Sequence, residues 1–282
     1  YKQGKLDSTG GNPVIFKTYG TARFDLRGIK YKGHDLSKVE VECVMTRKEQ
    51  YKDKNRKPDV TPGTLKDDVD RRDFTVNSLL QDLSTGEILD LTGMGKDDIK
   101  KGIIRTPLDP DIIFSEDPLR MLRAIRFAVK YSWKLPRFML LALKKNAQKI
   151  EYISKERIQD ELNKILISPN PDKGIRLIEW TGLSKYIIPE WNSLIGVTQN
   201  KYHDKTVDKH ILDVVRGVPA DLKTRLIAMF HDIGKAKTRE VIDDEIHFYR
   251  HEEIGANMAA DIMKRLKYPT DIIRAVKLGV EN

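Results

Sequence analysis

The stretch Arg71-Arg72-Asp73-Phe74-Thr75-Val76-Asn77 decides how this chain is interpreted, because it holds two guanidinium groups, a carboxylate and an amide. An arginine presents a rigid fork of donors that matches phosphate oxygens, whereas aspartate and asparagine side chains bond sugar hydroxyls. The mixture therefore favours a pocket that holds a triphosphate and a ribose together.

A second segment, Glu116-Asp117-Pro118-Leu119-Arg120, follows further along the chain. On a helix that begins near Pro118, Asp117 and Arg120 share one face and place an acceptor beside a donor. Cytosine and adenine show an amine next to a ring nitrogen acceptor, and uracil and guanine show the opposite order. Such a pair would accept C and A and leave buried groups unpaired against U and G. The alternative is a surface ion pair worth only about 0.2–0.5 kcal/mol.

Two further segments accompany these motifs. One is the strand-like run 39–44, which contains Glu42, and the other runs from Asp90 through Asp98 to residues 103–106. In this order the segments resemble the class II tRNA nucleotidyltransferase and bacterial poly(A) polymerase family over nearly the whole chain. The resemblance implies that 90–106 is a flexible hinge and that Glu42 is a catalytic strand carboxylate.

The resemblance also implies roles for the nucleotide-binding residues. Arg72 would contact the triphosphate, Asp73 and Asn77 the ribose, and Asp117 and Arg120 the base. Arg120, Arg123 and Arg126 are spaced three apart, which is typical of a phosphate-binding ridge or of a solvated helix face. With the motifs beside them, Arg123 and Arg126 become candidate pocket residues.

One departure from the family pattern lies near the start of the sequence. Family members begin with a Gly-Gly turn and an Asp-x-Asp pair that binds two catalytic Mg²⁺ ions. Here Gly10-Gly11 is followed by Asn12-Pro13 and an apolar run, without paired aspartates. We therefore expect the chain to enter the catalytic domain partway, so that the main ligands for Mg²⁺ are missing from it.

The last ninety or so residues contain a second chemical pattern. His210, the adjacent pair His231-Asp232, and His251 follow one another on segments with helical character. Imidazole and carboxylate groups so arranged suit a divalent metal. The order resembles the HD phosphohydrolase superfamily, although no closing ligand follows residue 280. His203 and His247 are weaker candidates.

Composition agrees with a polyanionic partner. The 282 residues contain 51 Lys and Arg against 42 Asp and Glu, so the formal net charge is +9 and the isoelectric point is near 9.3. Solvated faces would supply the same excess. The single cysteine, Cys43, is expected to be a buried inert thiol. No apolar stretch is long enough to span a bilayer, and we expect a cytoplasmic protein.

Hydrophobic patterning predicts an α+β organisation, with a mixed, partial nucleotidyltransferase-type sheet domain first and helices after it. Strands are predicted at 14–17, 22–26 and 39–45, with a turn at Gly33-His34-Asp35. The basic stretch 47–58 is predicted to be an exposed loop. Helices are predicted from residue 116 onward, including one from Ser154 to Ile167 and one from 172 to 182. The expected domains are a head (1–85), a neck (86–150), a body (151–200) and an HD domain (201–282).

The sequence thus predicts an enzyme that adds C and A to the 3′ end of tRNA from CTP and ATP and releases pyrophosphate. CC-only addition, A-only addition and poly(A) synthesis share the same segments. A metal-dependent HD phosphohydrolase and a tRNA-binding module without catalysis are the other hypotheses.

Overall fold

The computed structural model describes residues 14–16, 20–26, 28–50, 59–199 and 204–282. The chain forms two compact units, residues 1–71 and residues 72–282. Most described strands lie in the first unit, and all but one of the described helices lie in the second. The predicted α+β organisation is confirmed, whereas the four domain boundaries stay predictions.

The first unit is built on a three-stranded antiparallel sheet with the order β1-β2-β5. Its strands and the short hairpins beside it are β1 Val14–Phe16, β2 Thr21–Asp25, β3 Lys30–Tyr31, β4 His34–Asp35, β5 Glu40–Val44, β6 Arg47–Gln50 and β7 Asp59–Pro62. The predicted strands are therefore confirmed within a residue or two. The predicted turn lies one residue early, at Lys32 and Gly33, which both have positive φ.

Two predictions for this unit are wrong. Residues 47–50 form a strand that pairs with β7, so only the segment 51–58, which lies outside the described residues, remains of the predicted loop. Cross-strand pairing outweighed the lack of apolar residues. Cys43 is exposed, because β5 pairs along β2 and most of its side chains stay accessible to solvent.

A short helix, α1 Leu65–Asp70, ends the first unit. Thr64 caps it: the Thr64 side chain accepts from the N–H of Asp67, and the Asp67 carboxylate accepts from the N–H of Thr64 at 2.8 Å. This reciprocal arrangement is a capping box, and it fixes where the chain enters the Arg-Arg-Asp segment.

The second unit is mostly helical. Its helices are α2 Gly95–Lys101, α3 Pro110–Glu116, α4 Leu119–Tyr131, α5 Arg137–Asn146, α6 Lys155–Leu166, α7 Pro171–Trp180, α8 Ser184–Ile187, α9 Val207–Gly217, α10 Leu222–Phe230, α11 Lys235–Thr238, α12 His251–Arg265 and α13 Thr270–Glu281. Short 3₁₀ segments cover Thr75–Asn77, Ala147–Tyr152 and Pro189–Leu194. Two hairpins complete it, β8 Leu80–Gln81 with β9 Ile88–Leu89 and β10 Arg239–Ile242 with β11 Glu245–Phe248.

The predicted helices after Ser154 and after Asn170 are confirmed as α6 and α7. Two further helices, α2 and α3, precede residue 116, from which the sequence predicted an almost wholly helical chain. Asp109 caps α3, and Pro110 occupies its first turn, where a missing N–H costs nothing.

Helix α4 is a central element of the second unit. Its apolar stripe, which includes Leu122 and Ile125, is fully buried, and the helix packs against α6 and α7. Burial of this stripe leaves Arg120, Arg123 and Arg126 to find partners on the flanks of α4. Among the described residues, no helix is both long enough and apolar enough to cross a membrane.

Candidate functional site

Asp73 is the centre of the first cluster, and it is 9% exposed. Its Oδ1 accepts from the backbone N–H of Phe74 at 2.8 Å and from the Asn77 amide at 3.0 Å. Its Oδ2 accepts from the Nε of Arg123 at 2.8 Å and from a second guanidinium nitrogen. The structure therefore brings together Asp73, Asn77 and Arg123, which the sequence analysis assigned to one pocket.

Arg72 joins this cluster through the backbone. Its guanidinium donates to the carbonyl of Asn77 at 2.7 Å, which closes the Arg-Arg-Asp turn on itself. Phe74 is fully buried beneath the turn and meets Phe127 edge to face, with ring centroids 5.5 Å apart. The buried ring anchors the turn, so the polar groups on either side of it keep fixed positions.

A second polar cluster connects this turn to the predicted hinge. The Thr75 hydroxyl donates to Asp98 at 2.7 Å, and Arg105 pairs with the other oxygen of Asp98 at 3.0 Å. Asp98 is 1% exposed, and the backbone N–H of Thr75 donates to the carbonyl of Arg105 at 2.8 Å. The hinge segment is thus tied to the pocket turn by a buried network that the sequence analysis did not foresee.

The predicted base-reading pair is arranged differently from the prediction. Asp117 precedes α4 rather than lying on it, and its side chain accepts from the N–H of Leu119 at 3.2 Å and from Arg157 at 2.9 Å. Arg120 is buried and donates to Glu116 at 3.0 Å. The helix begins one residue after Pro118, so Asp117 serves at the helix entry while Arg120 turns back toward α3. Their role in base choice stays a prediction.

Arg126 lies in an internal ion pair. Its Nε donates to Glu161 of α6 at 2.6 Å, Glu161 is 3% exposed, and the guanidinium sits 4.4 Å from the centroid of Phe127. These contacts join α4 to α6 and favour a structural role. Nucleotide binding by Arg126 stays a prediction that the contacts do not support.

Glu42 lies in the first unit, on β5 opposite Arg23 of β2, and its side chain is exposed. Glu40, two residues earlier and therefore on the same face, is paired with Arg23 at 2.5 Å. The catalytic assignment of Glu42 stays a prediction. The Gly-Gly at 10–11 lies outside the described residues.

The HD residues converge on one carboxylate. Asp232, which is 3% exposed, has its Oδ2 3.6 Å from the Nε2 of His210 and 3.2 Å from the Nε2 of His231. Its Oδ1 lies 3.5 Å from the Nε2 of His251. The ligand atoms of His210, His231 and Asp232 all lie within 4.8 Å of one another. The predicted set is therefore assembled from α9, the end of α10 and the start of α12.

Backbone carbonyls determine the tautomers of two of these rings. The Nδ1 of His231 lies 2.9 Å from the carbonyl of Ala228, and that of His251 lies 2.8 Å from the carbonyl of Phe248. A carbonyl only accepts, so each Nδ1 carries a proton and each Nε2 faces Asp232. An unprotonated Nε2 would direct its lone pair at the negative carboxylate, which is repulsive unless a proton or a metal ion lies between them.

Electrostatics of the cluster agree with this geometry. Burial raises the pKa of Asp232, but the adjacent His231 and His251 side chains outweigh it and hold the pKa well below its usual range. The hydrogen bond to Asp232 raises the pKa of His251 above its usual value, against the effect of burial. The Oδ2 of Asp232 is enclosed and makes no hydrogen bond of good geometry. Two imidazoles and an under-bonded carboxylate oxygen fit a divalent metal.

Two residues that the sequence analysis missed complete this site. Lys235 is 8% exposed, and its Nζ lies 2.9 Å from the Oδ2 of Asp232 and donates to Gln199 at 2.8 Å. The signal was in the sequence, because Lys235 stands three residues after Asp232 and so shares a face with it across a helical turn. Gln199 is distant in sequence and only the fold brings it there.

Comparison with known proteins gives three family matches. The matching models are described as the poly(A) polymerase head domain over residues 16–105, the probable RNA and SrmB-binding site of polymerase A over 138–195, and the HD domain over 209–279.

Relatives carry related names. A CC-adding tRNA nucleotidyltransferase of Thermus thermophilus is 33% identical over 233 residues, which cover 77% of this chain and 52% of that protein. An A-adding tRNA nucleotidyltransferase of Deinococcus radiodurans is 33% identical over 231 residues, with coverage of 77% and 52%. The chain thus spans about half the length of the curated relatives it matches.

A solved structure shares the fold. The CCA-adding enzyme of Bacillus stearothermophilus in complex with CTP superposes with a TM-score of 0.58 at 22% identity, covering 93% of this chain and 54% of that one. With its head, RNA-binding and HD matches and its named relatives, the chain belongs to the tRNA nucleotidyltransferase and poly(A) polymerase family.

Proposed function

We propose that this chain is the nucleotide- and RNA-binding part of an enzyme that adds C and A to the 3′ end of tRNA from CTP and ATP. The 3′ oxygen of the tRNA would form a bond to the α-phosphorus of the nucleotide as the bond to pyrophosphate breaks. The observation that carries the proposal is the hydrogen-bonded cluster of buried Asp73 with the partly buried Asn77 and Arg123, beside Arg72.

The cluster suits a nucleotide because its polar groups are held before any ligand arrives. Asp73 is fixed by the N–H of Phe74, and Arg123, 33% exposed, turns part of its guanidinium toward solvent. A ribose hydroxyl would exchange hydrogen bonds with Asp73 and Asn77, and phosphate oxygens would meet Arg123 and Arg72. Preorganised donors of this kind lose little freedom on binding.

Base choice is assigned to Asp117 and Arg120. In the structure Arg157 binds one oxygen of Asp117, and Glu116 binds Arg120. Arg157 would orient the carboxylate so that it accepts from the amine of C or A, and Glu116 would hold the guanidinium that donates to the ring nitrogen. Uracil and guanine present the opposite donor–acceptor order and would not form these two hydrogen bonds, which would discriminate against them.

Mg²⁺ supplies charge neutralisation in phosphoryl transfer. Among the described residues, the one group of three or more ligand-type side chains is the HD cluster, and Glu42 is not part of such a group. The described residues of the first unit thus contain no group of three or more such side chains.

The test is incorporation of labelled CTP and ATP into tRNA that lacks its 3′ end, together with equilibrium binding of all four nucleoside triphosphates. We expect ordered addition of C, C and A by the full-length protein, and tighter binding of CTP and ATP than of UTP and GTP by this chain. Asp117→Ala and Arg120→Ala should remove the preference, and Asp261→Ala, an exposed carboxylate on α12, serves as the control. Absence of addition together with equal binding of all four nucleotides would contradict the proposal.

The same pocket would serve CC-only, A-only or poly(A) addition, and the products separate these activities. Two added C residues would match the name of the Thermus relative, and one A the name of the Deinococcus relative. Long A tracts on an unrelated RNA would indicate a poly(A) polymerase.

A metal-dependent phosphohydrolase is the second candidate function, and the convergence of His210, His231 and Asp232 favours it. A divalent metal held there would polarise a phosphate ester. The backbone bond at Nδ1 orients His231, and Lys235 would attract a phosphate anion. His231→Ala or Asp232→Ala should abolish hydrolysis of a phosphodiester while leaving nucleotide addition intact.

A further inference from the structure

We propose that Lys235 is a built-in competitor of the metal at the HD site, an internal cation that lowers the affinity of the site for divalent ions. The inference rests on the metal site of the proposed phosphohydrolase function and goes beyond it. It does not depend on nucleotide addition.

The position of the ammonium group carries the argument. Its Nζ lies 2.9 Å from the Oδ2 of Asp232, the same oxygen that the Nε2 atoms of His210 and His231 approach. Asp232 is the carboxylate in the group of three side chains that could hold a metal ion, the other two being His210 and His231. The lysine and a metal ion would therefore address one carboxylate oxygen.

Lys235 is also held in place by other groups. Its Nζ donates to the Oε1 of Gln199 at 2.8 Å and lies 5.4 Å from the centroid of the Phe248 ring. Gln199 is itself buried and donates to the carbonyl of Lys205 at 3.1 Å. Withdrawal of the ammonium would break a buried hydrogen bond and a cation–π contact, so the lysine does not swing away freely.

Repulsion follows from these positions. Metal–oxygen bonds to a carboxylate are about 2.1 Å long, so a metal on Oδ2 would lie within about 5 Å of the ammonium. At that distance, in a site largely shielded from solvent, a monovalent and a divalent cation repel each other strongly. Lys235 thus balances the charge of Asp232 without metal and opposes metal when it binds.

The experiment measures Mn²⁺ binding to chelator-treated protein by calorimetry and by paramagnetic resonance. Lys235→Met should bind Mn²⁺ roughly tenfold or more tightly than the unaltered chain, since it removes the competing charge. Lys237→Met is the matched control, because Lys237 lies on the same short helix with its side chain exposed, and it should change affinity by less than about twofold.

Thermal unfolding with and without Mn²⁺ also tests whether Lys235 and the metal compete for Asp232. Without metal, Lys235→Met leaves the Asp232 carboxylate without its cation, so its Tm should fall, and saturating Mn²⁺ should restore more of it than in the unaltered chain. Lys235→Arg, which keeps the charge, should stay a weak binder. Lys235→Gln removes the charge but keeps a polar end, and it replaces the methionine variant if that protein does not fold.

Three outcomes separate the possibilities. Tighter Mn²⁺ binding in the neutral variants alone supports the inference. Equal or weaker binding in those variants overturns it while leaving the metal site intact. Absence of Mn²⁺ binding in every variant overturns both the metal site and the competition.

Discussion

The Nε of Arg123 on α4 lies 2.8 Å from the Oδ2 of Asp73, across fifty residues of sequence. The pair joins the Arg-Arg-Asp turn to the helix that carries the predicted base-reading residues. Asp73 is 9% exposed, and its carboxylate is bonded to this partner and to the N–H of Phe74. The pair therefore supports the fold as well as the pocket.

Asp73→Ala should consequently weaken both stability and nucleotide binding. Removal of the buried carboxylate leaves the partly exposed Arg123 and the N–H of Phe74 without their acceptor, and we expect a loss of about 1–3 kcal/mol in the free energy of unfolding. Urea unfolding and CTP binding would be measured on the same preparation. Asp97→Ala, which removes an exposed partner of Lys101, should change neither by much. A fully stable Asp73→Ala protein would show that Arg123 finds another partner.

Arg157 and Asp117 give a prediction about base choice. Asp117→Ala removes the acceptor itself, so CTP and ATP should lose their advantage over UTP and GTP. Arg157→Ala removes only the guanidinium that donates to the Oδ2 of Asp117 at 2.9 Å. The preference for CTP and ATP should therefore persist, with the affinity for both nucleotides lowered severalfold. Competition binding with all four nucleotides distinguishes the two variants. Equal effects of both variants would mean that Arg157 touches the base directly.

Thr75 tests the network that ties the hinge to the pocket. Its hydroxyl donates to Asp98 at 2.7 Å inside the protein, and Thr75→Val replaces that hydroxyl with a methyl group of similar size. A buried carboxylate oxygen then loses a donor, which should lower the free energy of unfolding by about 1–3 kcal/mol. Thr85→Val, at an exposed turn, is the control and should be nearly neutral. Similar losses in both variants would contradict a special role for the network.

The extent of sequence-based prediction differs between these sites for a physical reason. Asp73 and Asn77 are four residues apart in one turn, and the HD residues occupy helix ends, so local patterns place them well. Arg120 was assigned to Asp117 on helical spacing, yet the helix begins only at Leu119 and Glu116 captures the guanidinium. Asp117 lies before the first helical residue and has extended backbone, so the three-residue spacing does not place it on the same face as Arg120.

Long-range partners were beyond the sequence altogether. Glu161 for Arg126, Arg157 for Asp117, and Gln199 for Lys235 come from other helices. Spacing along the chain carries no information on such pairs, because tertiary packing decides them. Arg126 is an example. Its three-residue spacing from Arg123 favoured a role in nucleotide binding, whereas its contacts form an ion pair between α4 and α6.

The pair Glu190 and Arg265 gives a prediction about pH. Burial raises the pKa of Glu190, but two hydrogen bonds from Arg265, both 2.8 Å, outweigh it and leave the pKa below its usual value of 4.5. A lowered pKa in the folded state means that the stabilisation is complete above pH 4.5 and is lost as pH falls further. Arg265 is 39% exposed at its side chain, so the effect is about 1 kcal/mol or less.

The measurement is the difference in unfolding free energy between the unaltered chain and Glu190→Gln at several pH values. The difference should be present at pH 7 and should shrink below pH 4.5. Glu253→Gln is the control, since its pair with Arg250 is more exposed on both sides. A difference that grows on acidification would reverse the sign and contradict the assignment.

Gly234 and Gly217 form a matched pair of glycines for testing how the HD site is held. A Cβ on Gly234 would lie 2.2 Å from the carbonyl oxygen of His251 and 2.8 Å from the backbone nitrogen of Gly255, so the turn that leads into α11 packs directly on the start of α12. A Cβ on Gly217, at the end of α9, would meet nothing within 4 Å.

Gly234→Ala should lower the free energy of unfolding by about 1–3 kcal/mol and separate Asp232 from His251. Gly217→Ala should be neutral or stabilising by up to about 1 kcal/mol, because alanine restricts the unfolded chain more than glycine does. Thermal unfolding with and without Mn²⁺ measures both effects, and a Gly234→Ala protein that matches Gly217→Ala in Tm and in metal response would show that backbone contact does not position the site.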